Sequence, residues 1–157
     1  MQMTPDKKKN KLYIVVPCYN EEQVLGETSK RLKIKCENLI QKGQISKDSK
    51  IVFVDDGSKD RTWKMISELH ETDSLFSGVK LSRNRGHQNA LLAGLTMASE
   101  HADMAISMDA DLQDDINAVD QMIEKYYEGC DIVYGVRSAR ETDTFFKRFT
   151  AEAFYKL

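Results

Sequence analysis

Five short apolar runs punctuate the chain: Leu12–Val16, Ile51–Val54, Gly78–Leu81, Met104–Met108 and Ile132–Val136. Their length and their valine and isoleucine content predict strands. The longer segments between them, Glu22–Gln41, Thr62–His70, Gln88–Ala98 and Asn117–Tyr127, carry apolar residues three and four positions apart. Leu91, Leu92, Leu95 and Met97-Ala98, for example, would line one helical face. Strands alternating with helices imply βαβ units, and hence an α/β fold with a mainly parallel sheet flanked by helices. No internal repeat or low-complexity linker interrupts the pattern.

The pattern divides the chain into three parts. Residues 1–11, with the Lys7-Lys8-Lys9 cluster, read as a flexible basic tail, and residues 12–140 as the α/β domain. Residues 141–157 read as an amphipathic C-terminal helix, with Phe145, Phe149 and Ala153 on one face and Lys147, Arg148 and Lys156 nearby. Aromatic residues mixed with basic ones suit a helix lying at a membrane interface.

Composition narrows the function classes. The 157 residues carry 23 Lys plus Arg against 25 Asp plus Glu, a formal net charge of −2 that gives no reason to expect a nucleic-acid partner. The longest apolar run is far shorter than the roughly 20 residues a bilayer-spanning helix needs. Met1–Lys11 has no apolar stretch of signal-peptide type, so a cytoplasmic domain is expected. Cys18, Cys36 and Cys130 are odd in number and lack metal-ligand spacing, which reads as reduced thiols.

The chemistry gathers where the strand runs end. Polar clusters follow four of them: Pro17-Cys18-Tyr19-Asn20-Glu21-Glu22, Asp55-Asp56-Gly57-Ser58, Ser82–His87 and Asp109–Asp114. In an open α/β sheet the ligand crevice lies beyond the carboxyl ends of the strands, so four clusters in register predict a ligand site. Asp109 and Asp111 flank Ala110 and project to one side of an extended backbone. Two such carboxylates suit Mg²⁺ or Mn²⁺ held jointly with substrate phosphates. Asp114 or Asp115 would cap the helix expected from about Ile116. At the second cluster, Asp55 or Asp56 would accept hydrogen bonds from a nucleobase or ribose, and Asp60 would cap the next helix. Arg83, Arg85 and His87 bring positive charge to the crevice, with Arg137 and Arg140 after the last strand run; guanidinium groups match diphosphate geometry. The chain lacks a Gly-x-Gly-x-x-Gly turn, a P-loop and a Gly-x-Ser-x-Gly elbow, so redox-dinucleotide, P-loop and serine-hydrolase chemistry are not indicated.

Pro17–Glu22, Asp55–Ser58 with Arg61-Thr62, and Asp109–Asp114 together resemble the family 2 glycosyltransferases of the Rossmann-like GT-A fold. Leu81–Leu91 and Val133–Arg137 narrow the resemblance to the branch that moves sugars onto polyprenyl phosphate, such as dolichyl-phosphate mannose synthases and bactoprenol glucosyltransferases. The resemblance implies that Pro17, Tyr19, Glu21 and Asp56 contact the nucleoside of a UDP- or GDP-sugar. It places Asp109, Ala110 and Asp111 at the diphosphate, metal and sugar, with Gln113 as a further metal ligand and Arg137 near the phosphates. The reaction it implies is inverting transfer by a metal-dependent enzyme at the cytoplasmic face of the membrane. Asp114 is a weak candidate for a general base, because a phosphate acceptor is already anionic. Two positions depart from the family pattern: Arg85 replaces a common aromatic residue and Asp115 a common proline. Relatives of this kind are about twice as long, with acceptor-side and often transmembrane segments beyond the nucleotide half, so the resemblance implies that this chain corresponds to an N-terminal fragment. A haloacid-dehalogenase-like phosphoryl transferase and a non-catalytic nucleotide-sugar-binding module are the alternatives to test.

Overall fold

The computed structural model describes residues 9–111 and 113–136. Its elements run β1 (Leu12–Cys18), α1 (Leu25–Gln41), β2 (Lys50–Asp55), α2 (Thr62–Thr72), β3 (Phe76–Lys80), α3 (His87–His101), β4 (Met104–Ser107) and α4 (Ala118–Tyr127). All pairings are parallel, and the strand order is β3-β2-β1-β4.

Alternation along the strands sends two sets of side chains to two cores. Leu12, Ile14, Val16 and Cys18 of β1 and Ile51 and Phe53 of β2 join Leu25, Leu32, Cys36 and Leu39 of α1, Ile66 of α2, and Val119 and Ile123 of α4. The intervening Tyr13, Val15, Val52 and Val54 meet Ala90 and Ala98 of α3 on the opposite face. Helix α3 lies very close to the sheet. A Cβ at Gly94 would stand 2.4 Å from Val15 Cγ1 and 2.8 Å from Val54 Cγ2, so only glycine allows this approach. Burial on both faces explains why β1 and β2 read as unbroken apolar runs rather than alternating ones.

Several expected boundaries shift. Helix α1 starts at Leu25 rather than Glu22, because the amides of Val24 and Leu25 both donate to the Glu21 carbonyl and close a turn first. β3 begins two residues earlier than expected, at Phe76. α4 begins at Ala118, preceded by a turn in which Asp115 Oδ1 accepts from the Asn117 amide at 2.9 Å; this is a pre-helix turn rather than a helix cap.

The larger correction concerns Ile132–Val136, which forms no strand. Ile132, Tyr134 and Val136 are 71, 81 and 85% exposed. A strand exists by hydrogen bonding to a neighbour, and among the described residues β4 pairs only with β1. Periodicity alone could not supply that missing edge. The proposed amphipathic helix 141–157, Arg137 and Arg140 lie outside the described residues, as do residues 1–8 of the basic tail. Among the described residues no helix is long and apolar enough to cross a membrane.

Candidate functional site

Connections from β1 pass to β2 and β3 on one side, whereas β4 lies on the other, so the switch point of the sheet falls between β1 and β4. A small cavity of about 70 Å³ opens there, lined by Pro17, His87, Leu91, Ser107, Met108, Asp109 and Asp114. A broader depression of about 520 Å³ lies beside it, over Asn20–Val24, Lys59 and Asp60. The four polar clusters singled out in the sequence do converge at this end of the sheet.

The loops after β1 and β2 are fastened to one another by reciprocal bonds. Asn20 donates its amide to Ser58 Oγ and accepts from the Lys59 amide. Glu22 does the same with Asp60 and with the Arg61 amide. The Glu21 amide donates to Thr62 Oγ1 at 2.8 Å, and Asp60 Oδ1 accepts from the Thr62 amide at the start of α2. Asn20 adopts φ 55°, a left-handed conformation that asparagine tolerates better than most residues. Burial pushes the Asp60 carboxyl up, but the hydrogen bonds from Thr62 and Glu22 outweigh it and hold the group below its ordinary range.

The two carboxylates ending β2 are inside the protein. Asp56 is 3% exposed and accepts from two successive backbone amides, Arg85 at 2.6 Å and Gly86 at 2.9 Å. It therefore fastens the basic loop 82–87. Gly57, with φ +70°, lies under the same loop: a Cβ there would be 2.5 Å from the backbone of Arg83 and Asn84. Asp55 is fully buried. One of its oxygens accepts from the Ser58 amide, while Oδ2 has no hydrogen-bond partner among the described residues. Burial, then the charges of Glu21 and Asp55, push the Cys18 thiol far above its ordinary range, so Cys18 is a core residue and not a nucleophile.

The acidic loop after β4 keeps the strand's alternation. Met108 and Ala110 are buried, whereas Asp109 and Asp111 are exposed. Both carboxylates thus face outward on the same side, as their spacing predicted. Asp109 Oδ1 stands 4.0 Å from His87 Nε2 at the start of α3. Asp111 Oδ1 accepts from the Gln113 amide, and Asp114 Oδ2 from the Asp109 amide. Glu21 approaches from the β1 side. Burial raises its carboxyl above the ordinary range, and the charges of Asp111 and Asp60 raise it further. Negative charge crowded at an exposed strand end is the electrostatic complement of a divalent cation. Among the described residues, however, no three His, Cys, Asp or Glu side chains gather as a ready-made metal cage.

Of the residues named from sequence, Tyr19, Glu21, Arg83, Asp109, Asp111 and Gln113 line the accessible end of the sheet, whereas Pro17, Asp55, Asp56 and Ala110 are buried beneath it. Sequence reasoning missed Thr28. This α1 residue is 1% exposed and donates from Oγ1 to the Ala110 carbonyl at 2.5 Å, across 82 positions. It lies within a regular helical pattern that gives no sign of the contact.

The parallel sheet and its flanking helices form an α/β domain of the GT-A type. The sequence places it further: residues 13–156 match the model of Glycosyl transferase family 2, and the chain belongs to that family. The glycosyltransferase YkoT of Bacillus subtilis (strain 168) is 56% identical over 146 residues, which are 93% of this chain and 43% of YkoT. A prophage bactoprenol glucosyl transferase homolog of Escherichia coli (strain K12) is 42% identical over 147 residues, 94% of this chain and 45% of that protein. The chain therefore spans less than half the length of these relatives. Among solved structures, the mannosyltransferase PcManGT of Pyrobaculum calidifontis, in complex with GDP-Man and Mn²⁺, superposes with a TM-score of 0.54 at 22% identity over 67% of this chain and 28% of that one. S. aureus TarS 1-349 in complex with UDP-GlcNAc gives 0.54 at 20% identity, covering 74% and 32%. These likenesses show the shared fold. Family membership also answers the phosphoryl-transferase alternative.

Proposed function

We propose that this domain binds a nucleoside-diphosphate sugar across the ends of β1 and β4 with Mg²⁺ or Mn²⁺. As the donor-binding part of a longer, membrane-associated enzyme, it would transfer the sugar to a polyprenyl phosphate with inversion. The observation that carries the reading is the outward pair Asp109 and Asp111 at the sheet's switch point, with Glu21 on the β1 side within reach of the Asp111 charge. A cation bound there would neutralise the developing charge on the nucleoside diphosphate as it leaves.

Each residue has a part in this reading. Asp109, Asp111 and Gln113 hold the cation and, with the Ala110 backbone between them, orient the diphosphate. Tyr19 and Glu21 meet the nucleoside above the buried Pro17, Asp55 and Asp56. Arg83, on the loop that Asp56 fastens, faces the anionic donor, and Arg137 serves the phosphates. An acceptor phosphate oxygen attacks the anomeric carbon as the bond to the diphosphate breaks, which inverts that carbon. The nucleophile is already charged, so no strong base is required. Asp114 remains the weak candidate, with one oxygen engaged by the Asp109 amide.

The polyprenyl acceptor rests on the likeness to bactoprenol glucosyl transferases at 41–42% identity. The test supplies the full-length natural protein with UDP- or GDP-sugars, Mn²⁺ and a short-chain polyprenyl phosphate. Lipid-linked sugar with inverted configuration supports the proposal. Nucleotide binding without transfer by the full-length protein would favour a non-catalytic binding module. The 157-residue chain alone should bind donor but turn over poorly.

A further inference from the structure

The acidic loop is held from behind by helix α1. Ala110 is 4% exposed, and its carbonyl accepts the Thr28 hydroxyl at 2.5 Å, the short end of the range for such bonds. Thr28 Oγ1 also lies 3.1 Å from the Val24 carbonyl, the ordinary backward bond of a helical threonine. The hydroxyl has one proton, and the shorter contact is the one to Ala110. Two turns further along the same face of α1, Lys35 Nζ reaches Asp120 Oδ2 at 2.5 Å and Asn117 Oδ1 at 3.2 Å, at the start of α4. One helix thus braces both ends of the connection that carries Asp109, Asp111 and Gln113.

We propose that Thr28 is a positioning residue for the cation site: its bond to the Ala110 carbonyl fixes the direction and spacing in which Asp109 and Asp111 are presented. Turning the Ala110 carbonyl and methyl inward leaves the two flanking side chains outward. Mg²⁺ and Mn²⁺ demand near-octahedral ligand geometry, so a loop that drifts loses metal before it loses its fold. Lys35 is the second brace and acts through α4. The inference rests on the reading of this loop as a cation–diphosphate site.

The test compares the 157-residue chain with Thr28→Val, Thr28→Ala and Thr28→Ser. It measures the Mn²⁺ concentration that gives half-maximal stabilisation by UDP, or by GDP if UDP is silent. Each protein is measured well below its own melting temperature, with circular dichroism confirming the fold. Valine keeps the shape without the hydroxyl; alanine, a better helix former, carries the test if valine does not fold. Both should raise the Mn²⁺ requirement about tenfold or more while leaving nucleotide affinity at saturating Mn²⁺ within about twofold, and serine should restore the wild-type requirement. An unchanged requirement in valine and alanine overturns the positioning role alone. A wild-type chain that answers neither nucleotide with Mn²⁺ overturns the site reading, and this inference with it.

Discussion

The two sides of the crevice are built on different principles. On the β1–β2 side, Asn20, Glu22, Ser58, Asp60 and Thr62 exchange hydrogen bonds between loops, and Asp56 fastens the next loop by two amides. On the β4 side, Asp109 and Asp111 point into solvent, and the clearest long-range hold on their loop is Thr28. The first side pairs most of its polar groups internally, Asp55 Oδ2 excepted, and is cross-linked before any ligand arrives. The second presents two like charges outward, which in the proposed reading a cation would join. In that reading, a nucleoside would meet a preformed surface, whereas the diphosphate end would be completed by metal.

Substitutions on the two sides should separate stability from binding. Gly57→Ala should have the largest effect. It forces a Cβ to 2.5 Å from the Arg83–Asn84 backbone at a positive φ, and about 3 kcal/mol of stability should be lost in urea unfolding. A loss under about 1 kcal/mol would show that the loop 82–87 is loosely held. Asp56→Asn comes next, at about 2 kcal/mol, because a buried amide replaces an acceptor that serves two backbone N–H groups. Unchanged stability would mean that the carboxylate is not the fastening.

On the other side, Asp111→Asn should leave stability within about 0.5 kcal/mol but nearly abolish metal-dependent nucleotide binding. Asp115→Asn should cost about 1 kcal/mol or less by loosening the turn before α4, with binding retained. Equal binding losses in the two variants would contradict the separation. The smallest effect lies remote from both sides. The hydrogen bond from Lys33, then that from the Leu75 amide, hold the Asp73 carboxyl below its ordinary value. Its contribution is therefore present above about pH 3.9 and is lost as pH falls through the lower folded value. Asp73→Asn should flatten the acid limb of a melting-temperature profile below about pH 4; an unaltered limb would show that the pair is fully screened.

Much of this arrangement was legible in the sequence. Four of the five expected strands, the four helices between them and the parallel pairing follow from apolar runs and helical spacing, because burial on both faces leaves an unbroken signal in β1 and β2. The common orientation of Asp109 and Asp111 follows from strand alternation carried past Ser107. Ile132–Val136 has the same local signal as a strand and is exposed instead, since pairing depends on a neighbour that composition does not encode. The depth of Asp55 and Asp56 was also hidden. Acidic turn residues read as solvent-facing, and only the fold reveals that the loop 82–87 closes over them. Thr28 was illegible for a related reason: its partner is a backbone carbonyl, which leaves no side-chain signature.

The central claim is that an acidic strand-end site needs a cation to take a nucleoside diphosphate. Thermal unfolding of the chain with UDP and with GDP, each in Mn²⁺ and in excess chelator, tests it most directly. At nucleotide concentrations about 100 times the dissociation constant, the account predicts roughly 2.7 kcal/mol of stabilisation with Mn²⁺ and little with chelator. Equal stabilisation in both conditions, or none with either nucleotide, would contradict it.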